Sequence, residues 1–177
     1  SWIDMYGTFN GFAWRAEPTA NRIWNWMRCS RHVFNTENGS TRMECLVRQM
    51  RFLAEALDQT TDPKTRWIGS CVMVARSVCL DGAHRLDEAL ARLDGECTAQ
   101  ILPDGGHVSR SPSRLLYALL NLLTLREALQ EADHHVPDYF DKWIPRMGAM
   151  LAFFQTEDGA LNPFNDGDEG RPEAIEA

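Results

Sequence analysis

A histidine and two arginines follow a tight turn in the stretch QILPDGGHVSRSPSRLLYALLNLL, residues 100–123. His107 can exchange a proton near neutral pH, and Arg110 can hold a carboxylate through a planar pair of hydrogen bonds. Arg114 lies one turn into the next helix, where free backbone amides and the helix dipole favour an anion. The stretch therefore predicts one of two structures: the wall of a cleft that binds an anionic substrate, or a connector between two helices.

The connector interpretation explains part of this stretch without any function. Asp104-Gly105-Gly106 allows a tight turn with positive backbone φ. Ser111 is suited to the N-cap of the following helix, and Pro112 to its first turn. His107 is not explained by this role, nor are the two arginines, so all three stay candidates for chemistry.

Aromatic rings are concentrated at the start of the chain. Tryptophan and tyrosine faces stack on sugar rings and asparagine side chains bind hydroxyl groups, but the same side chains also build ordinary cores. Core packing is the preferred interpretation for Trp26, whereas the glycine-spaced rings before Thr19 are candidates for ligand contact. The rings within the first 26 residues are Trp2, Tyr6, Phe9, Phe12, Trp14, Trp24 and Trp26.

No metal site or cofactor is predicted. His134-His135 forms a solvated loop pair, and His32 and His84 lack partners at metal-ligand spacing. Asp166 and Asp168 resemble part of a calcium loop but lack its other ligands. The sequence also contains no GxSxG motif, phosphate-binding loop or dinucleotide fingerprint.

Six segments show the apolar periodicity of helices: residues 19–34, 41–57, 63–80, 83–101, 111–132 and 137–155. Thr41 and Glu44 are spaced as a capping box for the second helix, and Pro63 opens the third. No strand alternation is sustained, so the pattern predicts an all-α chain of antiparallel helical hairpins in a curved double layer, with a flat bundle or a helical-repeat solenoid as alternatives. The third and fifth segments are apolar over much of their circumference, which predicts inner helices covered on two sides. No motif repeats at a fixed period.

Composition and charge exclude several classes of protein. Hydrophobic residues make up 44% of the 177, and no apolar run approaches the roughly 20 residues of a membrane-spanning helix, so no membrane partner is expected. A net charge of -7 argues against nucleic-acid binding. Of the 18 basic residues only Lys64 and Lys142 are lysine; this suits carboxylate or sulfate recognition, with a biased genome composition as the alternative.

The five cysteines are odd in number and contain no CxxC pair. We interpret them as buried thiols, which favours a reducing compartment such as the cytoplasm. The chain opens without an initiator Met, so we expect a fragment, and a periplasmic location stays open. Residues 1–155 are predicted as the helical domain and residues 156–177 as an acidic, Gly/Pro-rich tail leading to a missing C-terminal region.

Four blocks together resemble the helical domain of heparinase II/III-like polysaccharide lyases: AWRAEPTANRIWNWM, QILPDGGHVSRSPSRLL, LLNLLTLREAL and IPRMGAMLAFFQTEDGALNPFND. The resemblance spans nearly the whole chain and implies an incomplete α/α toroid. In full-length members a β-sandwich region follows, and acidic polysaccharide is cleaved by β-elimination beside a uronate carboxylate. The resemblance thus implies a carbon-oxygen lyase acting on uronate-containing polysaccharide, with this segment inactive by itself.

The resemblance also implies roles for individual residues. His107 is the candidate acid or base, and Arg110 is the second catalytic candidate, as a carboxylate clamp. The predicted substrate contacts are Arg114, Trp14, Trp24, Asn25 and Tyr117.

Two other functions stay open. A non-catalytic glycan-binding or scaffold domain is favoured by Arg114-Leu115 after Ser113, where lyases of the family carry a Tyr-His pair. A glycoside hydrolase needs two carboxylates about 5–10 Å apart, and Asp104 and Asp158 are the turn acids that could supply them. Turn formation explains both aspartates more simply.

Overall fold

The computed structural model describes residues 2–81, 85–157, 159–163 and 165, and the chain divides into two compact units, Ser1–Ala89 and Leu90–Ala177. The described residues contain no strand, and the predicted all-α fold is confirmed. The α-helices are α1 (Trp2–Tyr6), α2 (Ala16–Arg28), α3 (Ser30–Phe34), α4 (Gly39–Leu57), α5 (Pro63–Arg76), α6 (Leu86–Gln100), α7 (Pro112–Glu131) and α8 (Asp138–Phe154), and a π-helical turn, Ser77–Asp81, continues α5.

Some sequence predictions fall outside these residues or stay untested. Asp166 and Asp168, which resemble part of a calcium loop, lie outside the described residues, as do His84 and Asp158. The division of the chain at residue 155 stays a prediction.

The helix predicted over residues 19–34 is wrong at its middle. Cys29 leaves helical geometry, with φ −99° and ψ 27°, and separates α2 from α3. The predicted capping box at Thr41 is also wrong, because α4 begins two residues earlier, at Gly39, without a side-chain cap. In contrast, Pro63 opens α5 as predicted, and the Asp62 side chain accepts a hydrogen bond from the Thr65 amide at 2.8 Å.

In the first unit, α2 packs against α4 and α5, which also contact each other. Every residue from Trp67 to Val72 of α5 is buried, so this helix is covered around its whole circumference. That burial confirms the interpretation of this apolar segment as an inner helix. Other large buried side chains of the unit are Ile23, Trp24, Leu46, Met50, Leu53 and Leu57.

In the second unit, α7 and α8 contact each other and form a helical hairpin through the short connection at residues 132–137. The Tyr139 hydroxyl donates to the Leu90 carbonyl at 3.1 Å and ties the start of α8 to α6. α7 is buried on most sides, as its apolar sequence predicts. Its buried residues are Pro112, Leu115, Leu116, Ala118, Leu119, Asn121, Leu122, Leu125 and Leu129.

Two connectors of the second unit share one backbone structure. The first connector is residues 101–107 after α6, and the second is residues 155–161 after α8. A single antiparallel bridge closes each, between Ile101 and His107 and between Gln155 and Leu161. In the first connector the Leu102 amide donates to the Gly106 carbonyl at 2.8 Å, and the Gly105 amide donates to the Leu102 carbonyl at 2.8 Å. The same two bonds recur in the second connector, from Thr156 to Ala160 and from Gly159 to Thr156, each at 2.9 Å.

Candidate functional site

The first connector needs glycine at position 105. Gly105 has φ +87°, a left-handed conformation that L side chains rarely adopt. A Cβ atom there would lie 2.2 Å from the carbonyl oxygen of Arg146, so the turn packs directly onto the backbone of α8. The predicted positive φ is thus confirmed, and the same glycine lets the turn contact the helix.

Arg110 forms an ion pair inside this loop. Its Nη1 lies 2.9 Å from Asp104 Oδ2, while Asp104 Oδ1 accepts the Gly106 amide at 2.9 Å. The hydrogen bond from Arg110, followed by that from the Gly106 amide, holds the pKa of the Asp104 carboxyl below its usual range. Arg110 itself has φ +56°, and its carbonyl accepts the side-chain amide of Asn165 at 3.0 Å. Arg110 therefore closes the turn and links it to the segment after the second connector.

His107 is half-buried and hydrogen-bonded to Ser109. Its Nδ1 lies 2.7 Å from Ser109 Oγ and accepts the Ser109 backbone amide at 3.1 Å. The accepting role at Nδ1 assigns the ring hydrogen of the neutral imidazole to Nε2. Burial, and secondly the positive charge of Arg114, lowers the pKa of His107 from its ordinary value. The imidazole is therefore neutral at physiological pH.

The same chain of bonds begins α7. Ser109 Oγ accepts the Ser111 amide at 3.3 Å, and Ser111 Oγ accepts the Arg114 amide at 3.4 Å. Ser111 is thus the N-cap of α7 and Pro112 occupies its first turn, as predicted. The structure brings His107, Arg110 and Arg114 to one loop–helix junction, where the hydrogen bonds of the loop account for turn closure and helix capping.

The predicted sugar contacts are dispersed over both units. Trp14 is 4% exposed and donates from Nε1 to the Tyr6 carbonyl at 2.7 Å. Trp24 is 3% exposed on the buried side of α2, while Asn25 beside it is exposed. Tyr117 is exposed on α7 of the second unit. Two of these four side chains therefore belong to the core of the first unit.

Sequence reasoning missed a cluster around Arg22 of α2. Its guanidinium donates to the Gln49 side-chain oxygen, to the Ala13 carbonyl at 3.1 Å and to Thr19 Oγ1 at 3.2 Å. The Trp2 ring lies 4.3 Å from the guanidinium carbon. Burial lowers the pKa of Arg22. The sequence signal for this cluster is the position of Arg22, one residue before the buried Ile23. An arginine beside an apolar stripe needs hydrogen-bond acceptors from neighbouring elements.

The cysteines divide into two groups. Cys45, Cys71 and Cys97 are buried free thiols as predicted, whereas Cys29 and Cys79 are exposed, so the prediction is wrong for these two. Burial, aided by the charges of Asp94 and Glu96, raises the pKa of Cys97 to about 12. No three His, Cys, Asp or Glu side chains in the described ranges are grouped so that they could hold a metal ion.

Comparison with known proteins gives one informative relative. No protein-family model matches the chain, and no solved structure does. The chain is similar to FtsZ-localized protein C of Caulobacter vibrioides, with 28% identity over 180 residues. The match covers 99% of this chain and 31% of the relative, so the chain spans about a third of the length of that protein.

This relative corrects the resemblance to heparinase II/III-like lyases, which is wrong. A protein named for its localisation with FtsZ matches the chain end to end, and nothing found points to a polysaccharide lyase. The predicted lyase activity and polysaccharide partner are therefore wrong as well. The missing β-sandwich was implied by that family alone and loses its support. The physical reason lies in the quoted motif: its Asp-Gly turn and Ser-Pro start are what a helix connector requires, and the turn recurs after α8.

A membrane partner was not expected from the sequence. No helix in the described part of the chain combines the length and the apolar character that a bilayer span requires.

Proposed function

We propose that this chain is a helical protein-binding segment of a larger protein that localises with FtsZ, and that it binds FtsZ directly. The observation that carries the proposal is the similarity to FtsZ-localized protein C along 99% of the chain. The loop around His107 supports it, because the hydrogen bonds of this loop close a turn and cap α7. The chain is then a scaffold domain, as in the second function considered from the sequence, but its ligand is a protein and not a glycan.

The partner-facing surface in this proposal is the exposed side of the α7 start. Arg114 and Tyr117 are both exposed and lie three residues apart, on one side of the helix. Val108, in the loop before α7, is 49% exposed. Arginine and tyrosine are enriched among the residues that dominate protein interfaces. His107 and Arg110 act here through the loop, by holding Val108 and the helix start in place.

The test is binding of the purified chain to purified FtsZ from the same organism, measured by biolayer interferometry. The double variant Arg114→Glu, Tyr117→Ala is expected to weaken binding by about tenfold or more, as loss of central interface residues does. Arg92→Glu, an equal charge change at an exposed position of α6, is the control and should bind as the wild type does. If wild-type chain and FtsZ do not bind each other, the proposal is wrong.

We also propose that the second unit is built from a repeated element, a helix followed by a connector. The two connectors supply the support, since they share their bridge and turn bonds at an offset of 54 residues, from 101 to 155. Stacked helical hairpins of this kind form curved arrays. In this proposal the repeats form the incomplete toroid of hairpins that the sequence predicts.

A further inference from the structure

Residues 2–14, the N-terminal segment, lie across α2 and α4 of the first unit and are held through backbone carbonyls. Arg22 of α2 donates to the Ala13 carbonyl at 3.1 Å, and Arg48 of α4 donates to the Gly7 carbonyl at 3.2 Å. Aromatic rings supply further contacts. The ring centroids of Trp2 and Trp26 of α2 are 6.1 Å apart, and those of Phe9 and Phe52 of α4 are 5.8 Å apart. Any extended peptide offers the same carbonyls, so this mode of attachment does not depend on the sequence of residues 2–14.

The cation beneath this segment has no counter-charge among the described residues. Arg22 donates only to neutral oxygens, those of Ala13, Thr19 and Gln49. These bonds use three of the five guanidinium N–H groups. Removing a cation from water costs free energy that an opposite charge would offset. The structure therefore holds a half-buried positive charge with donors to spare for an anion.

Much of the N-terminal segment is loosely packed. No residue of α1 is buried, and Met5, Phe9 and Phe12 are 67%, 69% and 77% exposed. The buried residues of the segment are Gly7 and Trp14. Segments with few buried apolar contacts open locally at low free energy. Residues 2–12 can thus leave α2 and α4 while Trp14 stays in the core.

The helices that carry this surface have an excess of positive charge. α2 and α4 together contain five arginines and three glutamates, although the whole protein has a net charge of -7. Arg15, Arg48 and Arg51 are exposed in this region. Charge complementarity therefore favours an acidic ligand.

We propose that the α2–α4 surface under residues 2–12 is a docking site for an acidic, aromatic-containing peptide segment of a partner protein. The N-terminal segment occupies the site as an intramolecular stand-in and is displaced on binding. A carboxylate of the incoming peptide pairs with Arg22, and its aromatic side chains take the places of Trp2 and Phe9 against Trp26 and Phe52. This inference concerns the first unit and does not depend on binding to FtsZ.

The test measures fluorescence anisotropy with a labelled peptide, Trp-Glu-Glu-Leu-Phe-Asp-Glu-Trp, and with a control peptide carrying lysine at each acidic position. The variant Trp2→Ala, Phe9→Ala loosens the stand-in and is expected to bind the acidic peptide at least about threefold more tightly than wild type, because less competing contact must be broken. Adding Arg22→Gln to this double variant should weaken peptide binding about tenfold, because a desolvated ion pair with the peptide is lost. Arg66→Gln, at an exposed position of α5, should leave binding unchanged.

The two sets of variants separate docking from folding. A structural defect would weaken binding in every variant, whereas the proposal requires tighter binding from the first change and weaker binding from the second. Equal affinity for acidic and basic peptides overturns the proposal, as does failure of the loosened variant to bind the acidic peptide. Binding to phosphatidylglycerol vesicles that depends on Arg22, without peptide binding, would also overturn it and assign the surface to lipid.

Discussion

At the residue scale, Gly105 belongs to a loop whose sequence resembles a functional motif, but packing alone requires a glycine at this position. Its positive φ and its contact with the Arg146 carbonyl leave no room for a side chain. Gly95, in the middle of α6, meets no atom within 4 Å of an added Cβ. The two glycines therefore provide a matched pair for the same substitution.

We predict that Gly105→Ala lowers the free energy of unfolding by about 1–3 kcal/mol, the cost of strained backbone. Gly95→Ala should raise it by about 0.5–1 kcal/mol, because alanine restricts the unfolded chain and favours helix. Urea unfolding monitored by circular dichroism measures both. Similar effects from the two substitutions would show that the turn does not pack on α8 as described.

His107 carries a pH dependence whose sign follows from its lowered pKa. Because the pKa of folded His107 lies below the ordinary 6.5, the unfolded chain binds the proton more strongly. Stability from the neutral ring is therefore fully present above about pH 6.5 and is lost as the pH falls through the folded pKa. We predict that His107→Gln flattens the fall in unfolding free energy between about pH 8 and about pH 5. Parallel curves for wild type and variant would contradict this.

At the element scale, local side chains decide where several helices begin. Asp62 and Pro63 start α5, and Ser111 and Pro112 start α7, in each case by a side-chain cap followed by a proline that needs no amide partner. The break between α2 and α3 at Cys29 has no such local signal. Helix starts with caps were therefore readable from sequence, and this interruption was not.

Asp62 tests the contribution of a cap. We predict that Asp62→Ala lowers the free energy of unfolding by about 1 kcal/mol, because the Thr65 amide loses its acceptor. Asp62→Asn should keep most of that stability at neutral pH. The hydrogen bonds from the Thr65 side chain and then its amide lower the pKa of Asp62, so wild type should lose the contribution as the pH falls through that pKa and Asp62→Asn should not. Thermal unfolding over a pH series distinguishes the three proteins.

At the scale of the whole molecule, the same connector structure occurs twice although the two loops differ in most of their residues. The two connectors share only an Asp-Gly pair at matching positions, yet the two amide-to-carbonyl bonds inside each turn agree within 0.1 Å. The structure requires a residue that tolerates positive φ in the middle of the turn, and the other side chains are free to vary.

We predict that replacing residues 102–106 by the sequence of residues 156–160, Thr-Glu-Asp-Gly-Ala, preserves a cooperative thermal transition. The exchanged loop supplies glycine at position 105, where the Arg146 carbonyl lies close. A control loop with alanine at that position should unfold at a lower temperature. A non-cooperative melt from the exchanged loop would show that the connectors are not equivalent.

Helix content, the inner positions of α5 and α7, the cap at Ser111 and the helix start at Pro63 followed from the sequence alone. Apolar periodicity and helix-start signals act over a few neighbouring residues. The approach of Gly105 to α8, the placement of Arg22 beneath residues 2–14 and the burial of Trp14 were decided by tertiary structure. These features join residues far apart in the chain, and local pattern carries no information on such partners. The same limit explains the incorrect family: turn and cap chemistry determined the loop motif, and that chemistry is common to helix connectors of any function.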